Sequence, residues 1–270
     1  MTHTEDKSAA LRQGVVIFVY LAVLTGLEYF VAVAMDAVPL LLVVALVKAA
    51  LVGYYYMHIY RLNDDDGTDR QSHRYRTGSN RIGLWLFLLS DSFVFGGLMI
   101  MRINLLGLTR PHLNQLLGLI VTAVLLVSSF YMNRAETAMS HGDRKGFLNG
   151  TLITILLGLA FFAGVIVIEW HSVPAIADFV LHLLGEPEGA EALTPSSGAA
   201  GAVFFMMTGM HAFHVLTGVL FLLIVYNNGR RNLYSVEKHW PVEAAAVYWH
   251  FVDVVWIFFY PALYLIGRLP

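Results

Sequence analysis

The chain has 270 residues, of which 57% are hydrophobic and 13% are charged, and its formal net charge at pH 7 is −2. Soluble domains average about 45–50% apolar and about 25% charged residues, so this composition excludes an ordinary soluble domain, and the near-zero charge gives no indication of nucleic-acid binding. The sequence has no cysteine, which excludes iron–sulfur clusters, thiolate zinc sites, C-x-x-C-H haem attachment and thiolate-bridged copper pairs.

The polar N-terminus, MTHTEDKSAALRQG, leads into the first of seven apolar segments. That segment is too long for the apolar part of a signal peptide, so we expect the N-terminus to be retained. A spanning helix needs about 20 mostly apolar residues. The sequence therefore predicts an all-α integral membrane protein of about seven transmembrane helices, at residues 15–34, 39–60, 82–101, 115–132, 148–168, 201–225 and 243–266.

Basic residues divide unevenly between the two sides of this predicted bundle. If the N-terminus is cytoplasmic, thirteen of the seventeen Lys and Arg residues fall on the cytoplasmic side and three on the other side, while Lys48 falls within the second span. Cytoplasmic loops of membrane proteins carry the excess of Lys and Arg. We therefore predict that the N-terminus lies inside and the C-terminus outside, which requires an odd number of spans.

A polar stretch, RLNDDDGTDRQSHRYRTGSNR, separates the second predicted span from the third. It could be a long solvated loop, or it could be a linker that joins two modules and has few contacts across it. We favour the linker, because the motifs described below differ on its two sides. The predicted division is a two-helix module at residues 1–62, a polar linker at 63–80 and a five-helix domain at 81–270.

Several ionisable residues fall inside the predicted spans. Each costs about 3 kcal/mol at a helix centre on insertion scales, so such residues are candidates for function. Asp91, in the third span, could join two helices by a hydrogen bond, or it could face a lipid-filled or watery cleft with a proton or structural role. Lys48 is too far from a helix end to reach the interface, and we expect it to pair with an acidic neighbour or with another subunit.

The sixth and seventh predicted spans carry closely spaced polar residues. His211 and His214 lie one turn apart, which suits metal ligation, but two histidines do not complete a site, so we favour interhelical hydrogen bonds. In the seventh span, His250 and Asp253 are three residues apart and can lie side by side, with Glu243 on nearly the same face. This pattern indicates either a structural pair or a proton relay.

Two long motifs carry a family resemblance. They are FFMMTGMHAFHVLTG, from Phe204 to Gly218, and YWHFVDVVWIF, from Tyr248 to Phe258, which follows Glu243. With LLSDSFVFGG around Asp91, and with Leu113, Asn114, Ser128, Ser129 and the segment 168–170 as weaker support, residues 80–270 resemble subunit III of the haem-copper oxidases. The sequence departs from the family pattern at Asp91, where the family usually has Glu, and at Ala212, where it usually has Gly.

The first 62 residues resemble the bacterial subunit IV family of the same oxidases more weakly. The resemblance rests on Glu28 and Tyr29 in the first span, on Lys48, and on Met57 and His58 at the end of the second span. Together the two resemblances predict a fused IV–III polypeptide, which accounts for the polar stretch and for the odd number of spans.

The resemblance implies a non-redox accessory subunit of a proton-pumping terminal oxidase that reduces oxygen to water. Haem and copper would lie in partner subunits, and this chain would carry no catalytic, cofactor-binding or metal-binding residue. Implied partners are oxidase subunits I and II, bound phospholipid in a cleft between two helical bundles, and cytochrome c as the indirect electron donor, in a bacterial cytoplasmic membrane. Candidates for lipid-cleft, structural or proton-supporting roles are Asp91, Glu169, His211, His214, Glu243, His250, Asp253 and Lys48.

Other classes remain open from the sequence. The chain could be subunit III of a quinol oxidase, because the electron donor is decided by another subunit, or an accessory subunit of a nitric oxide reductase. A small transporter is less favoured, since the sequence has no inverted repeat with broken helices. A di-iron membrane enzyme would need about eight histidines in clusters that this sequence lacks.

Overall fold

The computed structural model describes residues 7–34, 38–57, 73–185 and 193–268, and within these ranges the chain is helical and has no strand. Three of the helices continue into π-helical turns, at Val52–Tyr56, Gly164–Glu169 and Pro261–Leu265. The described residues form eight helices, which are α1 (Lys7–Ala34), α2 (Val38–Leu51), α3 (His73–Leu106), α4 (Gln115–Ser140), α5 (Arg144–Ala163), α6 (Pro174–Leu183), α7 (Gly198–Arg230) and α8 (Trp240–Tyr260).

Seven of these helices are long and apolar enough to cross a membrane, which confirms the predicted number of spans. The eighth, α6, was not predicted. It has ten residues and begins with Pro174 in its first turn, so it is too short to register as a span. The helix α3 begins at His73, inside the predicted linker at 63–80, and the remainder of that linker lies outside the described residues.

The helix α8 is the centre of the bundle and packs against α2, α3, α4 and α7. Two buried indoles fix it to α4, because Trp249 donates to the Ser128 hydroxyl and Trp256 to the Thr122 hydroxyl, each at 2.9 Å. Gly158 of α5 gives Trp249 its space, since a Cβ there would lie 2.5 Å from the ring. These contacts hold α8 against α4 and α5.

The N-terminal hairpin of α1 and α2 packs onto the same core, against α4 and α8. The Tyr56 hydroxyl donates to the Gly14 carbonyl at 3.0 Å, and the rings of Phe18 and Phe130 lie 4.9 Å apart. The hairpin therefore shares buried contacts with the remainder of the bundle. The predicted division into two modules stays a prediction, because residues 58–72 lie outside the described ranges.

One buried arginine closes the end of the bundle at which α3 and α8 finish. Arg102 is 2% exposed, and its guanidinium donates to backbone carbonyls that have no partner within a helix. In the count of basic residues made from the sequence, Arg102 is one of the three on the side opposite the cytoplasm. Its acceptors are the carbonyls of Gly107 at 2.6 Å, Ala262 at 2.7 Å, Ile266 at 2.9 Å and Thr109 at 3.0 Å.

Candidate functional site: ionisable groups inside the bundle

The most deeply buried charges lie between the N-terminal hairpin and α8. Lys48 of α2 forms an ion pair with Glu28 of α1, and both side chains are completely buried. Lys48 thus finds an acidic neighbour within the chain, which was one of the two alternatives expected from the sequence. An ion pair inside an apolar bundle is favourable only while both members are present, because either charge alone would be left unpaired.

Asp253 of α8 faces the same buried region. It is 1% exposed and lies beside the Ser129 hydroxyl and within electrostatic reach of Lys48. The Tyr56 ring lies 4.9 Å from the ring of His250, one turn earlier on α8. Two carboxyl groups, one ammonium group, one imidazole and one phenol therefore share the contact between the hairpin and α8. We call the set Glu28, Lys48, Tyr56, His250 and Asp253 the hairpin cluster.

Glu243, at the start of α8, bonds to α3. Its carboxylate accepts from Arg81 Nε at 2.8 Å and from Arg81 Nη2 at 3.2 Å, in a two-pronged ion pair. The Arg81 side chain is 19% exposed and that of Glu243 is 8% exposed. This fork geometry gives directional strength as well as charge neutralisation. The pair therefore joins the adjacent ends of α3 and α8.

Asp91 of α3 meets His214 of α7. Asp91 Oδ2 lies 3.1 Å from His214 Nε2, and the two side chains are 14% and 10% exposed. The distance is that of an ion pair, although Asp91 Oδ2 makes no well-aligned hydrogen bond. His214 Nδ1 lies 2.7 Å from the Met210 carbonyl and must donate to it, so Nε2 is the ring nitrogen that faces Asp91. The pair brings α3 and α7 together, and the roles predicted for Asp91 and His214 stay predictions.

His211 is packed differently from its neighbour on α7. It is 1% exposed, and its ring lies 4.9 Å from Trp256, 5.5 Å from Phe161 and 6.2 Å from Phe259. Neither ring nitrogen has a hydrogen-bond partner among the residues that the structure describes. The interhelical hydrogen bond predicted for His211 is therefore not found. The imidazole serves as one ring in an aromatic contact between α5, α7 and α8.

Glu169 ends the π-helical turn after α5. It accepts a hydrogen bond from the Tyr264 hydroxyl in the π-helical turn after α8. The carbonyl of Tyr264 in turn accepts from Arg110 at 2.7 Å and from Gln115 at 3.0 Å. Arg110 lies between two spans, and burial lowers the pKa of its guanidinium. Glu169 thus belongs to a network that closes the same end of the bundle as Arg102.

Two membrane-spanning helices, α2 and α3, lie against α8. They make little contact with each other among the described residues. From Val242 to Tyr260, every residue of α8 is buried except Val254 and Phe258, which are one turn apart and half-buried.

The arrangement distributes charge over helix contacts rather than gathering it at one centre. Within the described residues, no three His, Asp or Glu side chains come together in a way that could hold a metal ion. The pairs Lys48–Glu28, Arg81–Glu243 and His214–Asp91 each join two different helices. Chemically, such pairs can hold helices together and can bind or release protons.

Both members of the His214–Asp91 pair were candidates from the sequence, but only one member of each of the other two pairs was. Glu28 was noted for the resemblance of its segment and not as the partner of Lys48, and Arg81 was counted only as a cytoplasmic charge. Tyr264 was not singled out at all. A charge inside a membrane needs a compensating group, and this rule indicates that such partners exist. It does not say which helix supplies them.

Comparison with known proteins identifies the family. The model of the cytochrome c oxidase subunit III family matches residues 12–268. Cytochrome c oxidase subunit 3 of Equus caballus is 34% identical over 201 residues, which cover 69% of each chain. That of Latimeria chalumnae is 32% identical over 202 residues, or 70% of each chain. That of Thermostichus vulcanus is 30% identical over 198 residues, or 69% of this chain and 87% of the relative.

The family match begins at residue 12 and therefore includes both helices of the N-terminal hairpin. The likeness of that hairpin to subunit IV stays a prediction. The seven membrane-spanning helices, the two long motifs on α7 and α8, and the match over nearly the whole length lead to one assignment. The chain belongs to the cytochrome c oxidase subunit III family.

Proposed function

We propose that this chain is a non-redox accessory subunit of a proton-pumping terminal oxidase that reduces oxygen to water. The single observation that carries the proposal is the match of the subunit III family over residues 12–268. In this role the chain stabilises the catalytic subunit, binds phospholipid and supports proton uptake. Its partners are subunits I and II, which hold haem and copper, and its indirect electron donor is cytochrome c.

The distribution of ionisable groups supports an accessory role. Each of the three ion pairs joins two helices, so the charges serve packing between helices. Asp91, His214 and Glu243 are slightly exposed, whereas Lys48 and His250 are completely buried. We assign proton-supporting roles to the first three and structural roles to the last two.

We propose that bound phospholipid lies along α8 between α2 and α3. The half-buried side chains of Val254 and Phe258 would contact it there, beside two apolar helices that are long enough to cross the membrane. An acyl chain fits such a surface because both are apolar and extend along the membrane normal. A lipid there would keep the hairpin and α3 at a fixed spacing on α8.

The membrane topology forms part of the proposal. We place the N-terminus in the cytoplasm and the C-terminus outside, in a bacterial cytoplasmic membrane, because Lys and Arg are concentrated on one side of the spans. The relatives are named as subunits of cytochrome c oxidase, which favours cytochrome c over a quinol as donor. The fused subunit IV-like hairpin competes with the simpler assignment in which α1 and α2 belong to subunit III itself.

Purification through a tag on this chain tests the proposal. We expect subunits I and II to co-purify from native membranes, with an optical spectrum of haem and an oxygen-consuming activity driven by reduced cytochrome c. A tagged chain that carries Lys48→Met, which disrupts the hairpin cluster, is the control for non-specific capture. Recovery of a folded chain with no haem-containing partner would contradict the proposal, and activity with a quinol alone would correct the donor.

A further inference from the structure

The short helix α6, which was not predicted from the sequence, leaves a row of large apolar side chains exposed. Ile176, Phe179 and Leu183 are 50%, 70% and 75% exposed, and they follow one another at spacings of three and four residues. Side chains at these spacings lie on one side of a helix. We call these three residues the outer strip of α6. An aligned group of this kind, unlike a single exposed side chain, indicates a contact surface.

Two further strips run along α6, one on either side of the outer strip. The inward strip packs on the bundle, because Ala177 is completely buried, Val180 is half-buried and Leu181 packs against the apolar core. The polar strip is exposed along its length and consists of Ala175, Asp178 and His182. Because successive residues of a helix are about 100° apart, the three strips of α6 point in three different directions.

The position of α6 is at the level where a membrane span ends. It packs against the π-helical turn Gly164–Glu169, which is the last part of the apolar segment Arg144–Glu169. Six helical residues extend about 9 Å, so α6 lies within about that distance of the end of the span. Trp170 follows the turn, and its indole Nε1 donates to the Thr208 hydroxyl at 3.0 Å. Tryptophan favours the boundary between the membrane interior and water.

A tight turn ties α6 to the end of that span. His171 has a φ of 54°, which lies in the left-handed region that ends many helices, and its Nε2 lies 2.8 Å from Asp178 Oδ1. Pro174 begins α6, where its fixed φ suits the first helical turn. Pro174 comes four residues after Trp170, so the start of α6 can lie no farther than about 14 Å from the end of the span. A helix tied in this way stays at the membrane surface.

The charges of this region exclude attachment of α6 through attraction to anionic headgroups. The segment from Glu169 to Ala200, which contains α6, has no Lys or Arg, and the side chain of Asp178 is 71% exposed. The outer strip can therefore attach only by burying apolar surface. The boundary between the headgroups and the acyl chains of a bilayer accepts apolar side chains in this way.

We propose that α6 lies in the membrane interface, with the outer strip inserted into the bilayer, the polar strip in water and the inward strip on the bundle. Each of the three sides then meets surroundings of matching polarity. In this position α6 holds the end of α5 at a fixed depth in the bilayer. The partner of the outer strip is the bilayer surface, and no particular headgroup is required. The inference rests on the membrane-spanning fold and does not depend on the proposed role in an oxidase.

Spin labels attached to α6 test the proposal, because the chain has no cysteine and a label can be placed at one chosen residue. The variants are Phe179→Cys and Leu183→Cys on the outer strip, with Ala175→Cys on the polar strip as the matched control. Each full-length protein is purified through a tag, with any subunits that remain bound, and is reconstituted in phosphatidylcholine vesicles. Collisions of the label with oxygen, which concentrates in lipid, are compared with collisions with a water-soluble nickel chelate.

We expect the labels at positions 179 and 183 to collide mainly with oxygen, at a depth of about 5–10 Å in the bilayer. The label at position 175 should collide mainly with the nickel chelate. Strong collisions with the nickel chelate at all three positions would place the outer strip in water and overturn the proposal. Immobile labels at 179 and 183 that reach neither reagent would show a protein on the outer strip, which would also overturn it. Thermal midpoints of all three variants should match that of the wild type, because the replaced side chains are exposed.

Discussion

The hairpin cluster and the Asp91–His214 pair use similar chemistry in different surroundings. In the hairpin cluster, Lys48 and Glu28 are completely buried against α8. In the pair between α3 and α7, the side chains of Asp91 and His214 retain 14% and 10% exposure at the edge of the bundle. Both places join two helices through a carboxylate and a basic group, but only the first lies in the core.

The difference teaches how burial decides what an ion pair contributes. A buried charge that loses its partner cannot be solvated, and removing one member of such a pair typically costs about 3–5 kcal/mol. An exposed pair is worth about 0–1 kcal/mol. We therefore infer that losing one member of the Lys48–Glu28 pair destabilises the bundle more than losing one member of the less buried Asp91–His214 pair.

The largest expected effect comes from Lys48→Met, which leaves the carboxylate of Glu28 buried without its cation. We expect a loss of about 3–5 kcal/mol in stability, seen as a sharp drop in the yield of monodisperse protein and in its thermal midpoint in detergent. The double variant Glu28→Leu with Lys48→Met should recover most of the loss, because two apolar side chains replace the pair. If Lys48→Met were as stable as the wild type, burial would not distinguish the hairpin cluster from the Asp91–His214 pair.

A smaller effect is expected from Gly158→Ala, which tests steric fit around α8 without changing charge. A Cβ at Gly158 would lie 2.5 Å from the Trp249 ring, and overpacking of this kind costs about 1–3 kcal/mol. Gly97→Ala on α3 is the matched control, since nothing lies within 4 Å of its Cβ. Thermal midpoints of the two variants in the same detergent make the measurement. Equal midpoints would show that α8 is packed less tightly than the structure indicates.

Asp91→Asn should cost less than Lys48→Met, because the amide keeps the shape of the carboxyl group and the Asp91 side chain is less buried than that of Lys48. We expect an assembled complex with near-normal oxygen consumption per haem and a slower rate or altered pH profile of proton uptake. His214→Gln should give the same profile, since it removes the other member of the pair. Complete loss of turnover per haem in a fully assembled Asp91→Asn complex would assign a direct catalytic role to Asp91.

The smallest effect is expected from cutting the chain between residues 64 and 72 and co-expressing the halves. The buried contacts of α1 and α2 with α4 and α8 should hold the halves together without a covalent link. Co-purification of both halves, with a thermal midpoint close to that of the intact chain, is the expected result. Adding Lys48→Met to the cut chain should separate the halves, because the hairpin cluster holds the hairpin against α8. Halves that separate even without that substitution would contradict the packing described for the hairpin.

The number of spans and the identity of the intramembrane charges could be read from the sequence. Spans depend on length and apolar composition, which are local properties, and the seven predicted segments correspond to the seven apolar helices. The short helix α6 was missed because ten residues give too little local signal. The start of α3 at His73 was missed because the segment 73–80 is polar although it is helical.

The partners of the charges could not be predicted, because they depend on which helices are neighbours. Glu243 and Arg81 are 162 residues apart in sequence, and no local pattern relates them. His211 shows a different kind of failure. A buried histidine is usually assigned a hydrogen bond, but here aromatic rings from α5 and α8 surround it, and only the packed structure reveals that arrangement.

We propose that this chain supports an oxidase but holds none of its haem or copper. Removing the chain from the purified complex tests this most directly. The complex is stripped of this subunit in detergent, and iron, copper and initial oxygen consumption per haem are measured for both fractions. We predict that all haem and copper stay with the remaining subunits and that initial turnover persists. During turnover, the stripped complex should lose activity faster than the intact complex. Stoichiometric iron or copper in the released chain, or complete loss of initial turnover per haem in the stripped complex, would contradict it.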